Sequence, residues 1–143
     1  MPDINNRKYP LTGIRVVDLT NVIAGPVSTR VLAQLGAEVI KIEVPWGRAI
    51  GNIAMHTDVP GEVRPYNKVA SFNEVNRGKQ SIAIDLAQED GIILLREIIS
   101  VSDVVIENYS PRVMGNLGLS YDSLVKERPD LIMVSMPALG GAG

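Results

Sequence analysis

Residues 10–43 read PLTGIRVVDLTNVIAGPVSTRVLAQLGAEVIKIE, and this stretch decides the fold. Ile14, Val16, Val17 and Leu19 form the near-continuous apolar run of a strand buried on both faces, which belongs at the centre of a sheet. An Ala-Gly-Pro turn follows. It leads into a short helix with Pro26 at its first position, Val27, Val31 and Leu35 on one face, and Gly36 placed to end it in a left-handed conformation. Residues 39–42 return to an apolar strand. Strand, helix and strand make one βαβ unit. Its first loop and first helical turn leave backbone N–H groups unpaired at the carboxyl edge of the sheet, a natural seat for a phosphorylated ligand.

Working outward, residues 1–9 read as a polar lead-in and residues 10–143 as a single α/β portion. Residues 45–75, with Trp46, Gly47, Gly51, Pro60, Gly61 and Pro65, read as one long irregular stretch, a length usually tied to function or mobility. A strand is expected over 81–84, and a helix over 88–101 with Ile92, Leu95 and Ile99 on one face. A strand over 104–106 comes next. Ser110-Pro111 reads as the cap and first position of a short helix stopped at Gly118, Ser120 as the cap of another, and residues 131–136 as a fifth strand. Strands alternating with helices specify an α/β fold with a doubly wound, Rossmann-like, mostly parallel sheet. The sequence ends in the loop after the fifth strand, so further polypeptide or a partner chain is expected to cover one sheet edge and one face.

Composition narrows the function. With 143 residues, 45% of them hydrophobic, and a mean hydropathy of +0.13, the chain can bury a core. A net charge of −2 and the lack of a basic stripe give no reason to expect nucleic acid or an anionic membrane as partner. Without cysteine there is no disulfide, thiolate metal site or thiol nucleophile, and the one histidine, His56, cannot form a metal cluster. No apolar segment approaches a membrane span and no signal peptide is evident, so a cytoplasmic location is expected. No GxGxxG follows the first strand, which argues against a dinucleotide site. The GGAG ending lacks the GKS or GKT of a phosphate loop.

Several blocks, in order, resemble the family III CoA-transferases, the group that includes formyl-CoA transferase and carnitine CoA-transferase. They are LTGIRVVDLT, AGP, LGAEVIKIE, NRGKQSIAIDL, SDVVIENYSP and LGLSYDSL followed by RPDLIMVSM. Members of the family are considerably longer, and the resemblance places this chain in their N-terminal portion. It implies CoA transfer between an acyl-CoA and a carboxylic acid through an aspartate-bound intermediate. Coenzyme A is then a substrate, with no tightly bound cofactor. The nucleophilic aspartate falls beyond Gly143 by family order, so no catalytic residue is assigned here and the segment alone is expected to be inactive. Family members form intertwined homodimers, so association with the remaining polypeptide is expected. Related acyl-CoA racemases share these blocks, and a non-catalytic CoA-binding or assembly module also fits them.

The resemblance and the expected strand ends together nominate a CoA crevice. Its residues are Ile23 and Ala24 after the first strand, Ile84, Asp85, Leu86 and Ala87 after the third, and Asn108, Tyr109 and Ser110 after the fourth. Backbone N–H groups in these loops could bond the pyrophosphate or pantetheine amides, Asn108 can donate and accept, and Tyr109 can lie against the adenine or pantetheine. Ile23 stands where formyl-CoA transferase has a glutamine, which disfavours formyl and oxalyl groups. Val44, Ala87 and Asn116 stand where members carry basic residues. Arg48, Arg77, Lys79 and Arg112 are the candidates to compensate, with Arg48 assigned to the ligand. Asp18, at the end of the first strand, reads as a structural carboxylate, and Asp85, three residues before Gln88, as a helix cap.

Overall fold

The computed structural model describes residues 9–44 and 70–141. Five strands, β1 (Arg15–Asp18), β2 (Glu38–Glu43), β3 (Gln80–Ala83), β4 (Val104–Glu107) and β5 (Ile132–Ser135), form an all-parallel sheet in the order β3-β2-β1-β4-β5. The helices are α1 (Ala24–Gln34), α2 (Ala70–Val75), α3 (Glu89–Ser100), α4 (Val113–Asn116) and α5 (Tyr121–Leu124). β1 is central, as its two-faced apolar run requires, with Val16 and Val17 fully buried. It pairs Val17 with Ile40 of β2 and with Val105 of β4.

Because successive residues point to opposite faces, the sheet carries two cores. One packs Val17, Ile42 and Val105 against Leu95 and Ile99 of α3, Met114 of α4 and Leu124 of α5. The other packs Val16, Val39 and Ile106 against Leu32 and Ala33 of α1. Each fully buried aliphatic side chain here contributes about 1.5–3 kcal/mol. The outermost strands are less covered: every residue of β3 is exposed, and Ile132 of β5 is 59% exposed. Among the described residues, no helix is long and apolar enough to cross a membrane.

Three local expectations need correction. Helix α1 does not bury Val27, Val31 and Leu35. Val31 and Leu35 are exposed, while Gly25, Pro26 and Thr29 face inward. A small-residue face lets the helix approach so closely that a Cβ on Gly25 would lie 2.3 Å from Thr20 Cβ. The helix does end at Gly36, with φ +98°. The stretch read as irregular closes with α2. Finally, Asp85 does not cap α3: Gln88 is the capping residue and forms no side-chain cap, and Asp85 instead accepts from the Ala87 N–H at 3.0 Å in an Asx turn.

Candidate functional site

The chain leaves β1 toward β2 on one side, whereas β4 continues to β5 on the other. Their outgoing loops therefore diverge from two neighbouring strands, and a crevice opens at the carboxyl edge between β1 and β4. Two side-chain hydrogen bonds bridge its lips. The Asn21 N–H donates to Asn108 Oδ1 at 2.7 Å, and Asn108 Nδ2 donates to the Asn21 carbonyl at 2.8 Å. Just beyond this clasp, Val22 has φ 70°, a left-handed conformation that a β-branched side chain adopts only under constraint. Val22 and Ile23 are both exposed, and the exposed Ala24 begins α1.

Beneath the β1 loop lies a buried charge cluster. Asp18 is fully buried, and its Oδ1 accepts from the Thr20 N–H at 2.9 Å and from Thr20 Oγ1 at 2.5 Å. Its Oδ2 accepts from Thr29 Oγ1 at 2.7 Å and from Lys79 Nζ at 2.9 Å. Lys41 Nζ lies 3.9 Å from Oδ1 and donates to the Thr20 carbonyl. Burial alone would push the Asp18 carboxyl up, but Lys41, Lys79 and the hydrogen bonds outweigh it and hold the group below the usual carboxylate range. Burial lowers both lysines against the pull of Asp18. With every carboxylate oxygen engaged, Asp18 is structural, as its sequence context suggested.

On the β4 side, a hollow of about 220 Å³ lies between the turn at 108–111 and the turn at 137–140. Tyr109 forms part of its wall and packs on the larger core. Burial and the neighbouring Glu107 raise its hydroxyl, while a hydrogen bond with the Asn21 side chain pulls the other way. Glu107 is itself buried and accepts from the Tyr109 N–H at 2.7 Å, which fixes the start of the turn. Ser110 is exposed at the rim, and its carbonyl accepts from the Val113 N–H, so helix α4 begins later than Ser110-Pro111 implied.

The structure ties the loop that carries Ile23 and Ala24 to the one that carries Asn108, Tyr109 and Ser110 through Asn21, and residues 84–87 follow a different strand, β3. β3 is an edge strand, two strand spacings from β1 and three from β4, or roughly 10 and 14 Å. Ile84 is buried and its N–H donates to the Glu43 carbonyl at 2.8 Å, while Asp85, Leu86 and Ala87 form the turn into α3. A ligand touching both places must stretch along the sheet edge. Of the compensating cations, Lys79 is interior: its ammonium is spent on Asp18, the Pro26 carbonyl and Asn76 Oδ1, each at 2.9 Å. Arg77 pairs with Glu74. Arg112 is exposed and follows Pro111 of the hollow's wall in sequence, and Arg48 lies outside the described residues.

Sequence reading passed over Asn21, Val22, Lys41, Thr29 and the turn at 137–140. Lys41 had left a signal, because a lysine between Ile40 and Ile42 in a strand covered on both faces needs a buried counter-charge. Among the described residues, no group of acidic, histidine or cysteine side chains is placed to hold a metal ion.

The sequence model of CoA-transferase family III matches residues 11–143. The chain belongs to this family. Succinate–glutarate CoA-transferase of Agrobacterium fabrum is 41% identical over 147 residues, which span all of this chain and 36% of that enzyme. A probable fatty acyl-CoA transferase of Mycobacterium tuberculosis, Rv3272, is 41% identical over 143 residues, covering the whole chain and 35% of the relative. A crystal structure of Rv3272 superposes with a TM-score of 0.80 at 37% identity, over 96% of this chain and 36% of that one. The family III chain thus spans about a third of the length of the curated relatives it matches.

Proposed function

We propose that this chain forms the CoA-holding crevice of an enzyme that transfers CoA between an acyl-CoA and a carboxylic acid. The observation that supports the reading is a hollow of about 220 Å³ between the turns after β4 and β5, on the carboxyl edge that also carries the exposed Val22 and Ile23, in a chain of this family. The hollow is too small for a whole CoA, so the ligand runs along the carboxyl edge with one part seated there. Arg112, exposed and next in sequence to Pro111 of the hollow's wall, is the cation assigned to meet a phosphate.

The chemistry needs a carboxylate nucleophile, and Asp18 does not serve, since its carboxylate is fully engaged below the loop. An aspartate elsewhere in the protein attacks the thioester carbonyl, and the CoA thiolate leaves to give a mixed anhydride. The thiolate then attacks the aspartyl carbonyl, which releases the first acid and leaves an aspartyl-CoA thioester. The second acid repeats these steps in reverse. Holding CoA between these steps is the role of the crevice, and the residues described here have no turnover of their own. The relative named for succinate and glutarate makes dicarboxylates the first acids to try.

Chemical-shift mapping with free CoA tests the reading. Perturbations centred on residues 21–24, 108–112 and 137–140 are expected, and perturbations confined to Lys126 and Arg128 at the opposite end would refute it.

A further inference from the structure

Among the described residues, Val22 is the one non-glycine residue with a positive φ, and it sits at the mouth of the crevice. Such a conformation persists only when its surroundings over-determine it. The residue entering Val22 is gripped at both of its backbone groups: the Asn21 N–H donates to the Asn108 carboxamide at 2.7 Å, and the Asn21 carbonyl accepts from it at 2.8 Å. This pairing also fixes which atom of that carboxamide is oxygen, since the flipped group would set donor against donor. The Asn21 side chain is held as well, by the Tyr109 hydroxyl and by the Leu19 carbonyl at 3.4 Å. On the far side, α1 cannot slide to relieve the loop. Gly25 already lies against Thr20, and Thr29 is tied to Asp18 at 2.7 Å.

We propose that Asn108 is a positioning residue: its carboxamide holds the loop after β1 in the strained turn at Val22 and thereby sets where the backbone of Ile23 and Ala24 meets the ligand. A side chain with both hydrogen-bonding ends spent on Asn21 does not need to touch the ligand to govern its binding. The strain and the clasp are matched, so loss of one frees the other. The proposal rests on the crevice being the ligand site, but its first readout does not.

Asn108→Ala, Val22→Gly and the double variant are compared with the unaltered protein, first without ligand. The Cα and Cβ chemical shifts of Val22 should leave left-handed values in N108A. In a double-mutant cycle on unfolding, V22G should be less favourable in the N108A background than alone, because the strain that glycine relieves is already gone. Asn108→Asp keeps the acceptor and loses the donor, so it should fall between N108A and the parent, which covers the case of N108A failing to fold. Free CoA is then the probe. N108A should weaken binding by about tenfold, and the double variant should regain about threefold of that, since glycine enters the required conformation without strain. Val22 shifts that stay left-handed in N108A, an additive cycle, or a binding loss that glycine does not restore would each overturn the proposal. Absence of CoA binding by the unaltered protein would refute the CoA reading, leaving the positioning of the loop to be decided by the ligand-free measurements.

Discussion

Replacing Asp18 by Asn tests whether the buried charge cluster organises the base of the crevice. The two side chains are nearly isosteric, so no cavity opens and the change is electrostatic. Asn can still accept from Thr20 at Oδ1, but its amide nitrogen would stand where Oδ2 now receives Thr29 and the Lys79 ammonium at 2.9 Å. Two donors then face each other. Lys79 and Lys41 are left with 1% and 7% of their side chains exposed and no carboxylate between them. Stranding a buried charge in this way costs about 3–5 kcal/mol. Against a total of roughly 5–15 kcal/mol for a domain, this is a large fraction. Urea unfolding followed by circular dichroism should show the midpoint falling by roughly 2 M at unchanged slope. Asp18→Asn combined with Lys79→Met should regain part of the loss, because one stranded cation goes with it. A loss below about 1 kcal/mol at unchanged slope, within the range of an ordinary neutral hydrogen bond, would refute the idea that charge pairing holds this region.

The same cluster sets an acid limb. The folded carboxyl of Asp18 lies below its unfolded value, so its contribution is fully present above the unfolded pKa near ~4 and is lost as pH falls through the folded one. Unfolding free energy measured from pH 6 to pH 2 should fall in that window, and the Asp18→Asn variant should lack this component. Gly25→Ala places a methyl group 2.3 Å from Thr20 Cβ and should cost about 1–3 kcal/mol in the same urea assay. An unchanged midpoint would mean that α1 can draw back from β1. Arg112→Ala, next in sequence to Pro111 of the hollow's wall, should weaken CoA binding by about threefold in titration calorimetry while leaving the unfolding midpoint unchanged, as expected of an exposed surface cation meeting phosphate. Equal affinity would remove it from the site.

Much of the architecture was legible along the chain because its signals are local. The apolar run from Ile14 to Leu19 marked a central strand, and Gly36 marked a helix end; the structure has both. The site was legible only at the level of loops. Strand ends pointed to residues 23–24, 84–87 and 108–110; the structure links the first and last of these loops through Asn21 and Asn108. The order of strands across the sheet is a long-range pairing, and it puts β3 at an edge and residues 84–87 out of reach of Asn108.

The sequence by itself determined the alternation of elements and the family, since each is carried by blocks of residues near one another in the chain. Tertiary structure alone decided what individual polar groups do. Asn108 and Asn21 are 87 positions apart, and Asp18 and Lys79 are 61 apart. Whether a lysine meets a ligand or a buried carboxylate, and whether an asparagine binds substrate or holds another loop, follows from which distant segment packs beside it. Lys79 is one of the candidates to replace a missing ligand cation, and the structure makes it the buried partner of Asp18. A side chain's chemistry is written locally, but its partner is chosen by the packing of the whole sheet.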